Sequence, residues 1–220
     1  MDPLIASFPS ESLDDQQPAI RVCQRHGIAY QVDQSKPIRY GEEYFQKYVG
    51  YRGGKISTAV HAARVALFRK YRCGTIQDWG IGSGEFLDAW IASGGRGAGY
   101  DINPVAIRWL NERALFSPYL TGCDGVCFWD SLEHTPNPSC LLRGLATGQY
   151  AFVSLPVIED LSGVRTWRHY KPNEHWWYFT PDGIVGLAEA CGLQFVEAND
   201  AEHLAGRTKD IRTFVFRKRA

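Results

Sequence analysis

Nine consecutive residues, Asp78-Trp79-Gly80-Ile81-Gly82-Ser83-Gly84-Glu85-Phe86, combine a carboxylate with three alternate glycines. Glycine lets the backbone adopt φ > 0 and admits a ligand where a Cβ would stand. The free N–H groups of a helix that starts behind such a turn attract polar or anionic ligand atoms. The chemistry expected is retention of a nucleotide-like cofactor. A dinucleotide fingerprint would place its third glycine three positions after the second. That position is Glu85, and the glycine comes one residue early, at Gly84. Asp78 suits a ligand bearing an ammonium group better than a pyrophosphate, so both departures speak against NAD. Asp101 follows roughly 20 residues later, where a doubly wound fold places a carboxylate on ribose hydroxyls. Two further segments carry proton-accepting side chains: Asp130, Glu133 and His134, then His169, Glu174 and His175. An imidazole of ordinary pKa is a base near neutral pH. His134 and His175 are therefore the candidates for catalysis.

These residues need elements that bring them to one edge. Thr75 and Ile76 precede the glycine turn, and Phe86, Leu87, Ala89, Trp90 and Ile91 follow it with helical spacing. A second strand is expected over residues 97–100, followed by Asn103 as N-cap and Pro104 at the first helical position. Apolar runs at 125–129, 150–155, 193–196 and 211–216 read as later strands. The last two are expected to pair antiparallel. A helix over 181–191 has Thr180 as N-cap and Gly192 as its stop. Alternating strands and helices imply a parallel sheet, whose ligands collect at the carboxyl ends of its strands.

Four segments in this order resemble the class I S-adenosylmethionine (SAM) methyltransferases. They are the acidic-x-Gly-x-Gly-x-Gly turn, Asp101 after the second strand, Asp130-Ser131-Leu132-Glu133-His134, and His175-Trp176-Trp177-Tyr178-Phe179-Thr180. The last two are similar to a group that carries Leu-Glu-His after its fourth strand, including the O-methyltransferases of ubiquinone synthesis. The resemblance spans about residues 75–195 and implies an α/β fold with a seven-stranded, mostly parallel sheet and helices on both faces. It implies S-adenosyl-L-methionine as cofactor, with Asp78, Gly80, Gly82, Gly84, Phe86, Asp101, Ile102 and Asp130 around it. The segment 113–122 is too short for the usual third strand and its helix, so that region is expected to be trimmed. Phe116 and Ser117 are the nearby candidates for the adenine.

Methyl transfer to a hydroxyl needs an in-line approach and removal of a proton. For Glu133, His134 and His175 three roles stand open. Asp130-x-x-Glu133-His134 with a later histidine resembles the metal cluster of small-RNA 2′-O-methyltransferases, in which a divalent ion lowers the pKa of a ribose hydroxyl. In that comparison Asp130 stands where a glutamate would. Alternatively, one histidine is a metal-free base, or the cluster is structural. The expected acceptor is a small molecule methylated at oxygen. RNA ribose and a SAM-binding module without transfer activity are the alternatives.

Composition narrows the partners. Lys and Arg number 24, as do Asp and Glu, so no global charge points to nucleic acid or anionic membrane. A local basic patch remains at Arg165, Arg168, His169 and Lys171. The six cysteines form no Cys-x-x-Cys pair, which fits a reducing compartment. No leader or long apolar run is seen, so a cytoplasmic protein without membrane association is expected. The chain reads as residues 1–50, an N-terminal arm and cap segment, and residues 51–220, a methyltransferase domain. Residues 1–20 are expected to be loosely docked, and 21–37 to hold a hairpin. Tyr44, Tyr48 and Tyr51 share one helical face, as a core stripe or a roof over the cofactor. The aromatic run from Trp167 to Phe179 lines a flat acceptor pocket or covers the core. The sequence leaves the oligomeric state open.

Overall fold

A computed structural model describes residues 1–220. The chain opens with α1 (Pro3–Ala6), β1 (Glu11–Ser12), β2 (Ile20–Cys23), β3 (Ile28–Gln31), α2 (Glu42–Val49) and α3 (Lys55–Lys70). It continues through β4 (Thr75–Trp79), α4 (Glu85–Ala92), β5 (Arg96–Tyr100), α5 (Pro104–Glu112), β6 (Gly125–Trp129) and α6 (Pro138–Arg143). It ends with β7 (Tyr150–Pro156), β8 (Trp177–Phe179), α7 (Pro181–Ala190), β9 (Leu193–Asn199), α8 (Ala201–Leu204) and β10 (Ile211–Lys218).

The main sheet has the order β5-β4-β6-β7-β10-β9. Its first four strands run parallel, and β10 lies antiparallel between β7 and β9. Six strands stand where seven were expected. The missing one is reduced to a single parallel bridge between Gly99 and Phe116. Gly99 and the 115–117 stretch exchange two backbone hydrogen bonds, and Tyr119 N, the next donor in that register, turns to Ser117 Oγ at 3.3 Å, so pairing stops there. Residues of β6 and β7 alternate between the two faces. Val126, Phe128, Val153 and Leu155 enter one core layer; Cys127, Trp129 and Phe152 enter the other. Burial on both faces explains why these strands read as continuous apolar runs. The chain leaves β4 toward β5 on one side and pairs with β6 on the other. This switch opens a crevice at the carboxyl ends of β4 and β6.

A second, antiparallel sheet has the order β1-β2-β3-β8. It corrects the expectation of a loosely docked N-terminus. Ile5 is fully buried in the larger core. The buried Asp2 carboxylate accepts from Leu4 N and Ile5 N, capping α1, and also from Ser139 N at 2.7 Å. Its partner β8 leads directly out of the His175 segment, so the N-terminal strands help to fix that segment. The tyrosines of α2 form a roof, since Phe45 is the buried residue of this helix. No helix is long and apolar enough to cross a membrane.

Candidate active site

A cavity of about 630 Å³ opens at the carboxyl ends of β4, β5 and β6. Its floor on the β4 side is the glycine turn. Gly82 has φ +56°, and a Cβ built there would meet nothing within 4 Å. That open cradle lets a ligand lie against the backbone. A Cβ on Gly80 would lie 2.5 Å from Ser131 Cβ, so this glycine admits the neighbouring loop as well as lining the cavity. Gly84 departs from its expected role: it lies outside the cavity lining, and a Cβ there would strike Trp109 at 2.6 Å. Its small size seats α5.

Asp101 accepts from Gly82 N at 3.2 Å and Asn103 N at 2.8 Å. Burial raises its pKa, and the surrounding backbone N–H groups partly offset this. Its neighbour Ile102 stands on the rim, 61% exposed. Asp78 is 1% exposed, and burial pushes its carboxyl up to about 7. The Cys127 thiol donates to it at 3.4 Å, and the Arg64 charge also pulls the pKa down. Phe86 is buried beneath the cavity, edge-on to Trp129 at 5.4 Å. An open glycine cradle, a ribose-height carboxylate and a buried acid that awaits a cation fit a nucleoside carrying an amino-acid tail.

The opposite wall holds the second group of residues. Leu132–His134 forms one 3-10 turn after β6. Trp176 N donates to Glu133 O at 2.9 Å, and Trp177 Nε1 to Thr135 O at 2.6 Å. These bonds bring the His175 segment against the Glu133 turn. The His134 and His175 rings meet edge-on at 4.6 Å. Ligand-capable atoms of Glu133, His134 and His175 lie within 4.8 Å of one another. Both Glu133 carboxylate oxygens and His175 Nδ1 are buried without a hydrogen-bond partner. Burial, reinforced by the Asp130 charge, raises the Glu133 pKa far above its usual value. Burial lowers His134 to about 4 and His175 to about 2. Two neutral imidazoles beside an unpaired buried carboxylate are poor proton acceptors alone. They are a suitable donor set for a divalent cation, since buried polar atoms without partners cost free energy.

Asp130 is not part of this set. It follows β6 at φ +49°, and its carboxylate is forked by Arg207 at 2.7 and 2.9 Å. Asp130 still lines the cavity, as expected of a residue beside the cofactor, with its carboxylate held by Arg207. Arg207 also donates to Glu202, which accepts two further bonds from Arg64. Arg64, Arg207 and Glu202 were missed because they come together only in space, with no local pattern. Tyr44 was foreshadowed by the spacing it shares with Tyr48 and Tyr51; Tyr40, which precedes α2, was not. Tyr40 Oη lies 3.2 Å from His134 Nδ1, and Tyr44 Oη donates to Glu174 at 3.4 Å. The dense aromatics take the second of their two expected roles and cover the core, with Trp176, Trp177 and Phe179 in the larger cluster. Tyr178 is buried in a core cluster with Ile20 and Leu161, with Trp167 and Tyr170 packed against it. None of these three lines the cavity.

Residues 51–198 match the sequence model of a family described as "Methyltransferase domain". No curated protein sequence matches the chain. Among solved structures, mitomycin 7-O-methyltransferase MmcR is 18% identical with a TM-score of 0.56, over 74% of this chain and 54% of its own. The chain thus spans about half the length of that enzyme. The 1,6-didemethyltoxoflavin-N1-methyltransferase of Burkholderia thailandensis, solved with S-adenosylhomocysteine (SAH), is 18% identical with a TM-score of 0.54, over 96% and 99% of the two chains. A putative sarcosine dimethylglycine methyltransferase from Galdieria sulphuraria is 13% identical with a TM-score of 0.59, over 81% and 99%. At these identities the likenesses establish the fold. With two thirds of its residues inside the family match, the chain belongs to the methyltransferase-domain family and is a SAM-dependent methyltransferase.

Proposed function

We propose that this enzyme methylates an oxygen of a small-molecule acceptor held beside a divalent cation at Glu133, His134 and His175. The observation that carries this is the buried, unpartnered Glu133 carboxylate facing two neutral histidines. SAM supplies a methyl group on a sulfonium. Gly80 and Gly82 would hold it through open backbone, Asp101 would accept from its ribose hydroxyls, and Asp78 would face its ammonium. The cation would supply Lewis acidity that lowers the pKa of an oxygen bound there. The chain's own groups orient and enclose. His134 and His175, held neutral by burial, keep lone pairs available at neutral pH. Tyr40 and Tyr44 roof the cavity and exclude water. Residues 1–50 act in this reading as a cap, through that roof and through the β3–β8 pairing.

A small acceptor is favoured over RNA by charge. Arg165 of the basic patch is forked onto Asp14, and Lys171 faces Glu174 at 3.5 Å, so little free positive charge remains for phosphates. The names of the compared enzymes include both O- and N-methyltransferases, so the preference for oxygen rests on the cluster and not on the fold. The test is SAH release from a panel of phenols, vicinal diols, sugars and amines, with EDTA and with added Mg²⁺ or Mn²⁺. Turnover of a hydroxyl acceptor that disappears with EDTA and returns with metal is expected. Turnover indifferent to EDTA would overturn the cation. Methylation of RNA alone would overturn the small acceptor.

A further inference from the structure

Resting on the cation reading above, we propose that Tyr40 is a positioning residue that couples the Glu133–His134–His175 cluster to closure of the tyrosine roof. The two nitrogens of His134 face different partners. Nδ1 meets the Tyr40 hydroxyl at 3.2 Å, and Nε2 lies 3.9 Å from Glu133 Oε1. A neutral imidazole carries one N–H and one lone pair. For Nε2 to offer its lone pair on the Glu133 side, Nδ1 must carry the hydrogen. Tyr40 Oη is the acceptor placed to receive it. Such outer partners set the tautomer and ring orientation of metal-binding histidines. With no cation bound, the hydroxyl can turn and donate to Nδ1 instead. One hydroxyl therefore serves both states, with opposite hydrogen-bond direction in each.

The same tyrosine belongs to the roof. Its ring packs edge-on against Tyr44 at 4.8 Å, and Tyr44 Oη reaches Tyr48 Oη at 3.2 Å. Tyr44 also donates to Glu174, the neighbour of His175. Upstream, Ile38 N donates to Asn173 O at 3.1 Å. The roof thus touches both segments that build the cluster. Phe45 is the one buried residue of α2, and its other ties are at the two ends, where Asn103 Nδ2 donates to Gly41 O at 3.1 Å and Arg52 Nη1 to Ser83 O at 3.0 Å. Segments with so few buried apolar contacts open readily. A cation that fixes His134 in the Nδ1–H tautomer gives Tyr40 a fixed partner, and a roof that is closed gives His134 its acceptor. Each state favours the other.

The experiment measures Co²⁺ binding by visible absorbance and amide hydrogen exchange over residues 41–50, with and without Co²⁺. Wild type is expected to bind Co²⁺ and to slow exchange in the roof. Tyr40→Phe should weaken Co²⁺ binding roughly 10- to 100-fold, the usual effect of losing an outer partner, and should abolish the slowing. Tyr44→Phe, which leaves the His134 bond in place and loosens only the roof, should weaken Co²⁺ binding less than Tyr40→Phe does. Equal Co²⁺ affinity in wild type and Tyr40→Phe would overturn the inference while leaving the cation reading intact. Absence of Co²⁺ and Mn²⁺ binding to wild type would overturn both. Should Tyr40→Phe fail to fold, wild-type exchange decides: roof amides unaffected by bound Co²⁺ would overturn the coupling.

Discussion

Glu202→Gln tests whether the ion network behind the cavity holds its wall. Glu202 is 1% exposed and accepts from Arg64 at 2.8 and 3.0 Å and from Arg207 at 2.6 Å. Burial alone would raise its carboxyl, but the two guanidiniums outweigh this and hold it at about 2, against a usual 4.5. A difference of that size corresponds to about 3 kcal/mol. Because the folded pKa is depressed, the contribution is fully present above pH 4.5 and is lost as pH falls through 2. Glu202→Gln removes the anion and leaves the buried Arg64 charge short of a partner. Loss of one member of such a pair costs about 3–5 kcal/mol. Arg64 keeps a weaker approach to Asp130 at 3.7 Å, which favours the lower end. Urea unfolding should therefore show a loss of about 3 kcal/mol at pH 7, falling to less than half at pH 3, with an unchanged m-value. A gap below about 1 kcal/mol at pH 7, or one of equal size at pH 3, would refute the reasoning, because exposed pairs contribute at most that much.

Asp78, pushed up to about 7 by burial, must be ionised to face an ammonium, so SAH affinity should weaken below pH 7 by up to about tenfold per unit. Calorimetry from pH 5.5 to 8 checks this, and a flat wild-type profile would remove Asp78 from the ammonium site. Gly82→Val should stay folded, since a Cβ there meets nothing, at a cost of about 1–2 kcal/mol for its left-handed backbone. It should lose SAH binding; normal binding would place the cofactor elsewhere. Mn²⁺ binding should release protons from Glu133, whose pKa burial raises, and not from the two histidines, which are already neutral near pH 6.5. Titration in buffers of different ionisation enthalpy measures it, and zero release would contradict the raised Glu133 pKa.

The glycine-turn half of the cavity was legible because it is local. Asp78, Gly80, Gly82 and Asp101 lie within one strand–turn–helix–strand unit, where spacing alone determines what faces what. Gly84 shows the limit: its conformation was foreseeable, but its neighbour Trp109 comes from another helix. The Glu133, His134 and His175 grouping was foreseeable because both segments end at the same sheet edge. The pairing of Asp130 with Arg207 was not legible, because Arg207 sits in a connection with no periodicity. The tyrosine spacing announced one shared face, but not whether that face meets core or cavity; the few buried residues of α2 decide it. The trimming of the third strand was legible from the shortness of residues 113–122, whereas the point where it ends, with Tyr119 N turned to Ser117 Oγ, was not.

The pairing of β3 with β8 has a kinetic consequence. Gly82 and Asp101 meet across 19 residues of chain, whereas Gln31 and Asn173 meet across 142. Closing a loop costs more entropy the longer it is, and topologies rich in distant contacts form slowly. The cofactor shelf can therefore assemble early from neighbouring segments. The cluster around His175 must wait until β3 has found β8, at Trp177–Phe179. During refolding, SAH binding should return before divalent-cation binding does, and a chain caught between the two would hold its methyl donor with nowhere to deliver it.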